Sequence, residues 1–282
     1  MPIRPFTALA CPLDGLPLHR EGGSWRCAEG HGFDVASQGY THLLPVQNKR
    51  SRDPGDSKEM VAARRRYLAA GYYAPIAAAV NRAVLAHLPA APEAACLDAG
   101  CGEGYYLRQL AAAVPPALTL SLLGLDISKW AVQAAARSQK DGGWVVGTNA
   151  RLPVQSGTLD SVLCLFGFPV YPEFARVLKP GGTLIQVDAG PDHLRELREI
   201  IYPVLKPERK TAPATPPGFT AVDEQTLRFS VDIAGQDNIA DLLAMTPHLY
   251  RATPEGRARA AALTTLQTTA EVKIGVWRRE ED

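Results

Sequence analysis

The feature that most constrains the fold is an alternation of short apolar runs with helical stretches after Pro92. The apolar runs end near Gly, Asp or Asn, as strands that lead into turns do. They are AACLDAG, SLLGLDI, WVVGTN, LDSVLCLF and GTLIQVDA. Such alternation is typical of a parallel β-sheet with helices on both faces. The sequence therefore predicts an α/β domain over residues 93–282.

Two later runs, LRFSVDIAG and EVKIGVWRR, are predicted as further strands on either side of the helix NIADLLAMT. Short consecutive strands more often pair antiparallel, because parallel pairing requires a long crossover. HLRELREII is predicted as another helix, and residues 203–217 as an irregular insertion. Together with the five earlier runs, the late pair makes seven predicted strands.

The first 45 residues have no helical period and are rich in Gly, Pro and aromatic residues, which predicts a small loop-rich module. A module of this size is too short to fold on its own core and needs an additional stabilising link. Residues 46–92 connect it to the sheet. Their segment NKRSRDPGDSKEMVAARRR is the densest basic patch of the chain. The DPGDS turn predicts a helix capped by Asp56 or Ser57 and running through KEMVAARRRYLAAGYY, and a second helix from Pro75 to His87.

Composition adds limits. The 282 residues are 46% hydrophobic, which allows a sizeable core. The balance of 30 Lys and Arg against 29 Asp and Glu gives no argument for or against a polyanionic partner. Any nucleic-acid surface must be local. Five cysteines, an odd number, favour a reducing compartment over a disulfide framework. The chain shows no secretory leader and no membrane-length apolar stretch, so we expect a cytoplasmic protein with no membrane partner.

The stretch CLDAGCGEGYY predicts a ligand site, because Gly100, Gly102 and Gly104 follow the first strand and precede a helix. A dinucleotide fingerprint would place its third glycine one residue later. Asp98 would repel a diphosphate but attract an ammonium group, and Asp126, after the second strand, could accept hydrogen bonds from ribose hydroxyls. These features favour S-adenosylmethionine; the alternative is that they are ordinary turn residues.

These features resemble those of the class I methyltransferases, which bind S-adenosylmethionine with such a loop and such an acid. The resemblance implies a seven-stranded, doubly wound Rossmann-like sheet. The resemblance implies that Cys101, inside the glycine loop, belongs to the cofactor site. It also places Asn149, which follows the third strand, where the family meets the adenine.

A narrower resemblance covers most of the chain. DVASQGYTHLLPVQNKRSRDPGDSKEM, AGYYAPI, LDAGCGEGYY and GPDHL resemble the bacterial large-subunit ribosomal RNA guanine-N1 methyltransferases and their macrolide-resistance relatives. This family implies methyl transfer to N1 of a guanine in a hairpin loop of 23S rRNA. It also implies cofactor contacts from Tyr73 and His193, although by sequence alone Tyr73 could simply pack and His193 could cap a helix.

The resemblance also implies a zinc-ribbon-like module at the amino terminus. The family holds one zinc ion through CxxC and CxxxH, and the matching positions are Cys11, Asp14, Cys27 and His31. Zinc accepts carboxylate oxygen, so Asp14 could replace the missing thiolate at some cost in affinity. His19 is a second candidate for that position. The alternative is a module that has lost its metal and packs through aromatic residues.

The chain departs from the family after the fourth strand, where LFGFPVYPEF has Phe168 in place of a proline. Phe166, Phe168 or Tyr171 could stack on a flipped purine, or could belong to the core. Asp188 could accept the guanine proton or be a turn residue, so no catalytic residue is assigned.

We expect Lys49, Arg50 and Arg52 to contact RNA phosphates. Arg64 to Arg66 could lie behind them or form a solvated helix face. Two rival functions remain open: methylation of a small molecule, and a non-catalytic protein that binds ribosomal RNA or the cofactor. The sequence also leaves a homodimer open.

Overall fold

The computed structural model describes residues 2–48, 51, 53–205 and 215–281. The strands are β1 (Ile3–Pro5), β2 (His19–Glu21), β3 (Ser24–Arg26), β4 (Gly32–Asp34), β5 (Thr41–His42), β6 (Glu93–Ala99), β7 (Thr119–Asp126), β8 (Gly143–Val146), β9 (Leu159–Leu165), β10 (Leu178–Ala189), β11 (Phe219–Ala234) and β12 (Thr265–Arg279). The α-helices are α1 (Lys58–Ala69), α2 (Ala74–His87), α3 (Tyr105–Ala113), α4 (Lys129–Ser138), α5 (Tyr171–Val177), α6 (Arg195–Ile201), α7 (Gln236–Ala244), α8 (His248–Arg251) and α9 (Pro254–Ala261), and a 3-10 helix covers Val46–Asn48.

Seven strands form the predicted sheet in the order β11-β12-β10-β9-β6-β7-β8. The strands β6 to β10 pair in parallel, whereas β12 pairs antiparallel with both β10 and β11. This confirms the predicted antiparallel late pair. The chain leaves β6 in one direction through β7 and β8 and returns to its other side at β9. In open α/β sheets such a reversal creates a crevice at the carboxyl ends of the strands.

Two short strands of the amino-terminal region extend this sheet, which the sequence did not indicate. β8 pairs with only the second half of β7, from Leu123 onward, and β1 pairs with the first half, from Leu120 to Leu122. β5 pairs in parallel with β8 at the edge. These strands cover backbone groups that would otherwise form an open edge. Only β2, β3 and β4 form a separate antiparallel sheet within the described residues.

The large sheet buries a hydrophobic cluster on each face. One cluster includes the apolar side of α2 and α3, with Ile76, Leu107 and Leu110 fully buried. The other joins Phe174 of α5 to Leu18 and Trp25 of the amino-terminal region. The small module therefore packs as part of a layer on the sheet. All five cysteines lie in the described residues, and each is a buried free thiol.

The connecting helices differ from prediction at one boundary. Ser57 caps α1 by accepting a hydrogen bond from the Met60 backbone N–H at 3.3 Å, which settles the choice between Asp56 and Ser57. The predicted continuation of α1 to Tyr73 is wrong, because α1 ends at Ala69 and Gly71 turns the chain with a φ of 86°. Tyr73 instead lies at the start of α2. No helix in the described part of the chain is long and apolar enough to span a membrane.

Candidate cofactor and metal sites

The glycine loop between β6 and α3 is a tight turn held by the end of β7. Gly100, Gly102 and Gly104 all have positive φ, at 103°, 54° and 82°. The backbone N–H groups of Gly100 and Cys101 both donate to the Leu125 carbonyl, at 2.8 and 2.9 Å. L-residues disfavour this left-handed region, so glycine is required where three such turns follow in five residues. The loop exposes backbone rather than side chains to the crevice.

Asp98, the penultimate residue of β6, is fully buried. Neither oxygen of its carboxylate has a hydrogen-bond partner among the described residues. Burial raises the pKa of Asp98 to about 8, and the nearby Asp126 adds to the rise. Native proteins rarely bury unpartnered carboxylates, since the desolvation is costly. An ammonium group would supply both the charge and the donors that this carboxylate lacks, so the site fits the amino group of S-adenosylmethionine.

Asp126 joins the glycine loop to the start of α4. Its carboxylate accepts hydrogen bonds from the backbone N–H groups of Gly102 at 2.9 Å and Ser128 at 2.8 Å. Burial raises the pKa of Asp126, and these two hydrogen bonds partly offset the rise. Each carboxylate oxygen keeps a further lone pair. Asp126 therefore retains the capacity to accept hydrogen bonds from a ribose; that role stays a prediction.

The structure brings Tyr73 and His193 together, although they lie 120 residues apart. The Glu271 backbone N–H donates to His193 Nδ1 at 3.2 Å, so the neutral ring carries its proton on Nε2. Nε2 then donates to the Tyr73 hydroxyl oxygen at 3.0 Å. Burial lowers the pKa of His193 to about 4, so the ring is uncharged near neutral pH. The ring of Phe166 stacks on that of Tyr73, with the two centroids 6.2 Å apart. Phe166 itself has a positive φ of 54°.

Asn149 lies beyond the end of β8 and bridges two loops. Its Nδ2 is 3.4 Å from the Ala99 carbonyl and 3.3 Å from the Phe168 carbonyl. Its Oδ1 is buried and has no hydrogen-bond partner within the described residues. An amino donor such as that of adenine would satisfy this oxygen, which fits the predicted position.

The loop after β9 presents an aromatic side chain to solvent. Phe168 is 89% exposed, so the alternative that it belongs to the core is wrong. Nearby, the Tyr171 hydroxyl donates to Gln186 Oε1 at 3.2 Å, and Gln186 Nε2 donates to Asp188 Oδ2 at 2.7 Å. Asp188 is exposed, but partial desolvation by neighbouring groups raises its pKa. The role of Gln186 in this site could not be predicted from the sequence, because a glutamine inside a strand carries no signal of its own.

Four side chains in the amino-terminal module converge as a candidate metal site: Cys11, Asp14, Cys27 and His31 offer ligand atoms within 4.8 Å of one another. His31 Nδ1 lies 3.6 Å from Cys11 Sγ and 3.4 Å from Cys27 Sγ. Sulfur and nitrogen ligands on a tetrahedral zinc ion lie about 3.5 Å apart. The donor set and its spacing therefore fit zinc.

Asp14 occupies the fourth corner of this cluster. The Leu16 backbone N–H donates to Asp14 Oδ1 at 2.9 Å and, as the largest cause, lowers the pKa of Asp14 to about 2. The other oxygen lies 3.3 Å from Cys27 Sγ and 2.8 Å from His31 Nδ1. Asp14 therefore presents an ionised oxygen to the other ligands. His19, the alternative ligand, is exposed on β2 and outside the cluster.

The basic segment divides into two parts. Lys49, Arg50 and Arg52, the predicted phosphate contacts, lie outside the described residues. On α1, Arg64 pairs with Asp56 at 2.6 Å, and Arg66 pairs with Asp241 of α7 at 2.6 Å. These ion pairs carry no sequence signal, because the folded structure decides that Asp56 lies beside Arg64 and Asp241 beside Arg66.

Comparisons with known proteins agree with this geometry. Residues 9–52 match the zinc-ribbon family described as "RlmA, N-terminal", and residues 97–186 match the family described as "Methyltransferase domain". A Micromonospora griseorubida protein, provisionally named a 23S rRNA (guanine-N(1)-)-methyltransferase, is 33% identical over 96% of this chain and 97% of its own. The 23S rRNA (guanine(748)-N(1))-methyltransferase of Streptomyces fradiae is 34% identical over 90% of each chain. A Bacillus subtilis protein with the same provisional name as the first is 31% identical over 95% of this chain and 96% of its own.

Proposed function

Because the chain belongs to the family of 23S rRNA (guanine-N(1)-)-methyltransferases, we propose that it methylates N1 of a guanine in a hairpin loop of 23S rRNA, with S-adenosylmethionine as methyl donor. The observation that carries the proposal is the buried, unpartnered carboxylate of Asp98 beside the glycine loop. It provides a counter-charge for the ammonium group of an amino-acid cofactor. A phosphate-bearing cofactor would be repelled there.

S-adenosylmethionine supplies a methyl group that is already electrophilic. The residues of this chain then have to bind and orient it. Asp98 would hold the ammonium group, Asp126 the ribose hydroxyls and Asn149 Oδ1 the adenine amino group, while Tyr73 and His193 would line the crevice beside them. Alignment of the methyl carbon with the attacking nitrogen would provide most of the rate enhancement.

On the substrate side, Phe168 is the residue best placed to stack on the target guanine. Enzymes that modify a base in RNA take it out of its stack and commonly hold it against an aromatic side chain. An exposed phenylalanine in the loop after β9, tethered through its carbonyl to Asn149, lies next to the proposed adenine position. Lys49, Arg50 and Arg52 would add contacts to RNA phosphates.

N1 of guanine carries a proton that must leave as the new N–C bond forms. Asp188 lies at the carboxyl end of β10 and is exposed. Gln186 fixes one of its oxygens, and neighbouring groups partly desolvate the carboxylate although its side chain reaches solvent. This partial desolvation raises the pKa of Asp188 and makes the carboxylate a better proton acceptor. In this proposal Asp188 would accept the N1 proton as the nitrogen takes up the methyl group that S-adenosylmethionine supplies.

The zinc ribbon would have a structural role. Cys11, Asp14, Cys27 and His31 would hold the ion and so fix the loops of the module against the sheet. The methyl group needs no Lewis acid, since the sulfonium already activates it. A ribosomal substrate would place the protein in the cytoplasm, and a homodimer remains compatible with the proposal.

The test is methyl transfer from labelled S-adenosylmethionine to unmodified large-subunit RNA, followed by nucleoside analysis. Label in 1-methylguanosine supports the proposal. Label only in small molecules of a cell extract favours the small-molecule methyltransferase, and cofactor binding without turnover on RNA favours the non-catalytic binding protein. RNA with adenine at the labelled position is the matched control and should accept no methyl group.

A further inference from the structure

α1 places a cation directly against the glycine loop. A Cβ atom added at Gly102 would lie 3.6 Å from Cδ of Arg64, so the arginine side chain runs past the middle glycine of the loop. One end of the guanidinium is fixed, because Nη2 donates to Asp56 Oδ2 at 2.6 Å and to the Met245 carbonyl at 3.1 Å. Arg64 is therefore a positioned charge rather than a flexible surface side chain.

The Nε–H group of Arg64 is a donor that its neighbours leave unused. It is buried, and it has no hydrogen-bond partner in the described ranges of the chain. Buried donors are normally satisfied, so a ligand atom is expected there. The charge of Arg64 reaches into the crevice, since it lowers the pKa values of Tyr73, Tyr106 and Asp126 against the effect of burial.

The glycine loop is otherwise acidic. Burial raises the pKa of Cys101, and the nearby charges of Asp126 and Asp98 add to the rise. Glu103 also lies near this thiol, but it is paired with Arg108 at 2.7 Å. A ligand with an ammonium group alone would be bound well by these acids. S-adenosylmethionine, however, also carries an α-carboxylate, which the same acids would repel. A cation that faces the loop would offset this repulsion.

We infer that Arg64 binds the α-carboxylate of the cofactor through its unused Nε–H group, opposite the ammonium group held by Asp98. This inference rests on the proposed use of S-adenosylmethionine. The two unsatisfied groups, one buried donor and one buried acceptor, then recognise the two charges of one zwitterion. Arg64 is thereby a specificity residue of the cofactor site, in addition to its ion pair with Asp56.

The test compares two ligands by calorimetry: S-adenosylmethionine and decarboxylated S-adenosylmethionine, which differ only in the carboxylate. The wild-type protein should prefer the first by about 10- to 100-fold, the usual range for a hydrogen bond to a charged group. R64Q should lose most of this preference while keeping its affinity for the decarboxylated ligand. R64K should keep part of the preference, and R65Q, at the exposed neighbouring position, should keep all of it.

A structural role alone would weaken both ligands equally, so the ratio of affinities is the decisive measurement. R64Q with an undiminished preference, or with equal losses for both ligands, would overturn the inference. If R64Q does not fold, an unchanged ratio in folded R64K would overturn it. A wild-type protein that binds neither ligand would instead overturn the proposed function itself.

Discussion

Cofactor binding should release a proton from Asp98, and the amount can be worked out from its environment. In the free protein burial raises the pKa of Asp98 to about 8. At pH 7 about 0.9 of the molecules therefore carry a proton on this carboxyl, and at pH 9 about 0.1. An ammonium group bound beside it requires the ionised form. Binding should thus release about 0.9 proton at pH 7 and about 0.1 at pH 9.

Calorimetry with S-adenosylmethionine in buffers of different ionisation enthalpy measures this release directly. The D98N protein is the matched control, because its amide is nearly isosteric and cannot titrate. Protons exchanged by the ligand and by other residues are common to both proteins and cancel in the difference. The reasoning about Asp98 would be refuted by equal proton release from wild type and D98N at pH 7.

Further predictions concern stability, the metal site and the substrate. Because the pKa of Asp98 is raised in the folded state, its contribution to stability is present at low pH and is lost as pH rises. The free energy of unfolding should therefore fall by about 1.4 kcal/mol per pH unit from about pH 4 to pH 8. Urea unfolding of D98N should show a flatter dependence on pH. G104A should lower the free energy of unfolding in urea by about 2–5 kcal/mol. The backbone there has positive φ, which strains an alanine, and the added Cβ would also lie 2.8 Å from a carbon of the Trp144 indole. Gly157 also has positive φ, but an added Cβ there would meet no atom within 4 Å, so G157A should lower the free energy of unfolding by only about 1–2 kcal/mol. Equal losses in G104A and G157A would contradict the contribution of the clash with Trp144. D14C should bind zinc on the order of tenfold more tightly in chelator competition, since a thiolate replaces a carboxylate; unchanged affinity would argue against Asp14 as a ligand. F168A should lower kcat/KM for RNA by about 5- to 100-fold with cofactor affinity unchanged, and F168Y should restore activity; full activity of F168A would exclude stacking.

The strands β6 to β10 could be predicted because each is a local apolar run with its own turn residues. β1 and β5 could not, since segments of three and two residues carry no periodic signal. Their structure is decided by the open edge of β7 and β8, far away in sequence. The end of α1 differs from its prediction for a related reason. The helical pattern continues past Ala69, but the chain turns at Gly71.

The cofactor site follows the same division. The glycines, Asp98 and Asp126 lie in one or two short stretches whose spacing already predicts a ligand. Arg64 gave no such signal, because its importance depends on the approach of α1 to a loop 38 positions later in the chain. The positive φ of Phe166, 54°, likewise could not be predicted, since non-glycine residues rarely adopt this conformation and no local pattern marks it.

The pairing of Ile3 with Leu120 has a consequence for how the protein is made. During synthesis β1 leaves the ribosome before β7, because Ile3 precedes Leu120 by 117 positions. It must wait, unpaired, until β7 has emerged, although the ribbon between the two strands can already close around its own ligands. The pairing of β1 with β7 is therefore a late step of co-translational folding, and the amino-terminal module is anchored to the sheet only after β7 and β8 have been synthesised.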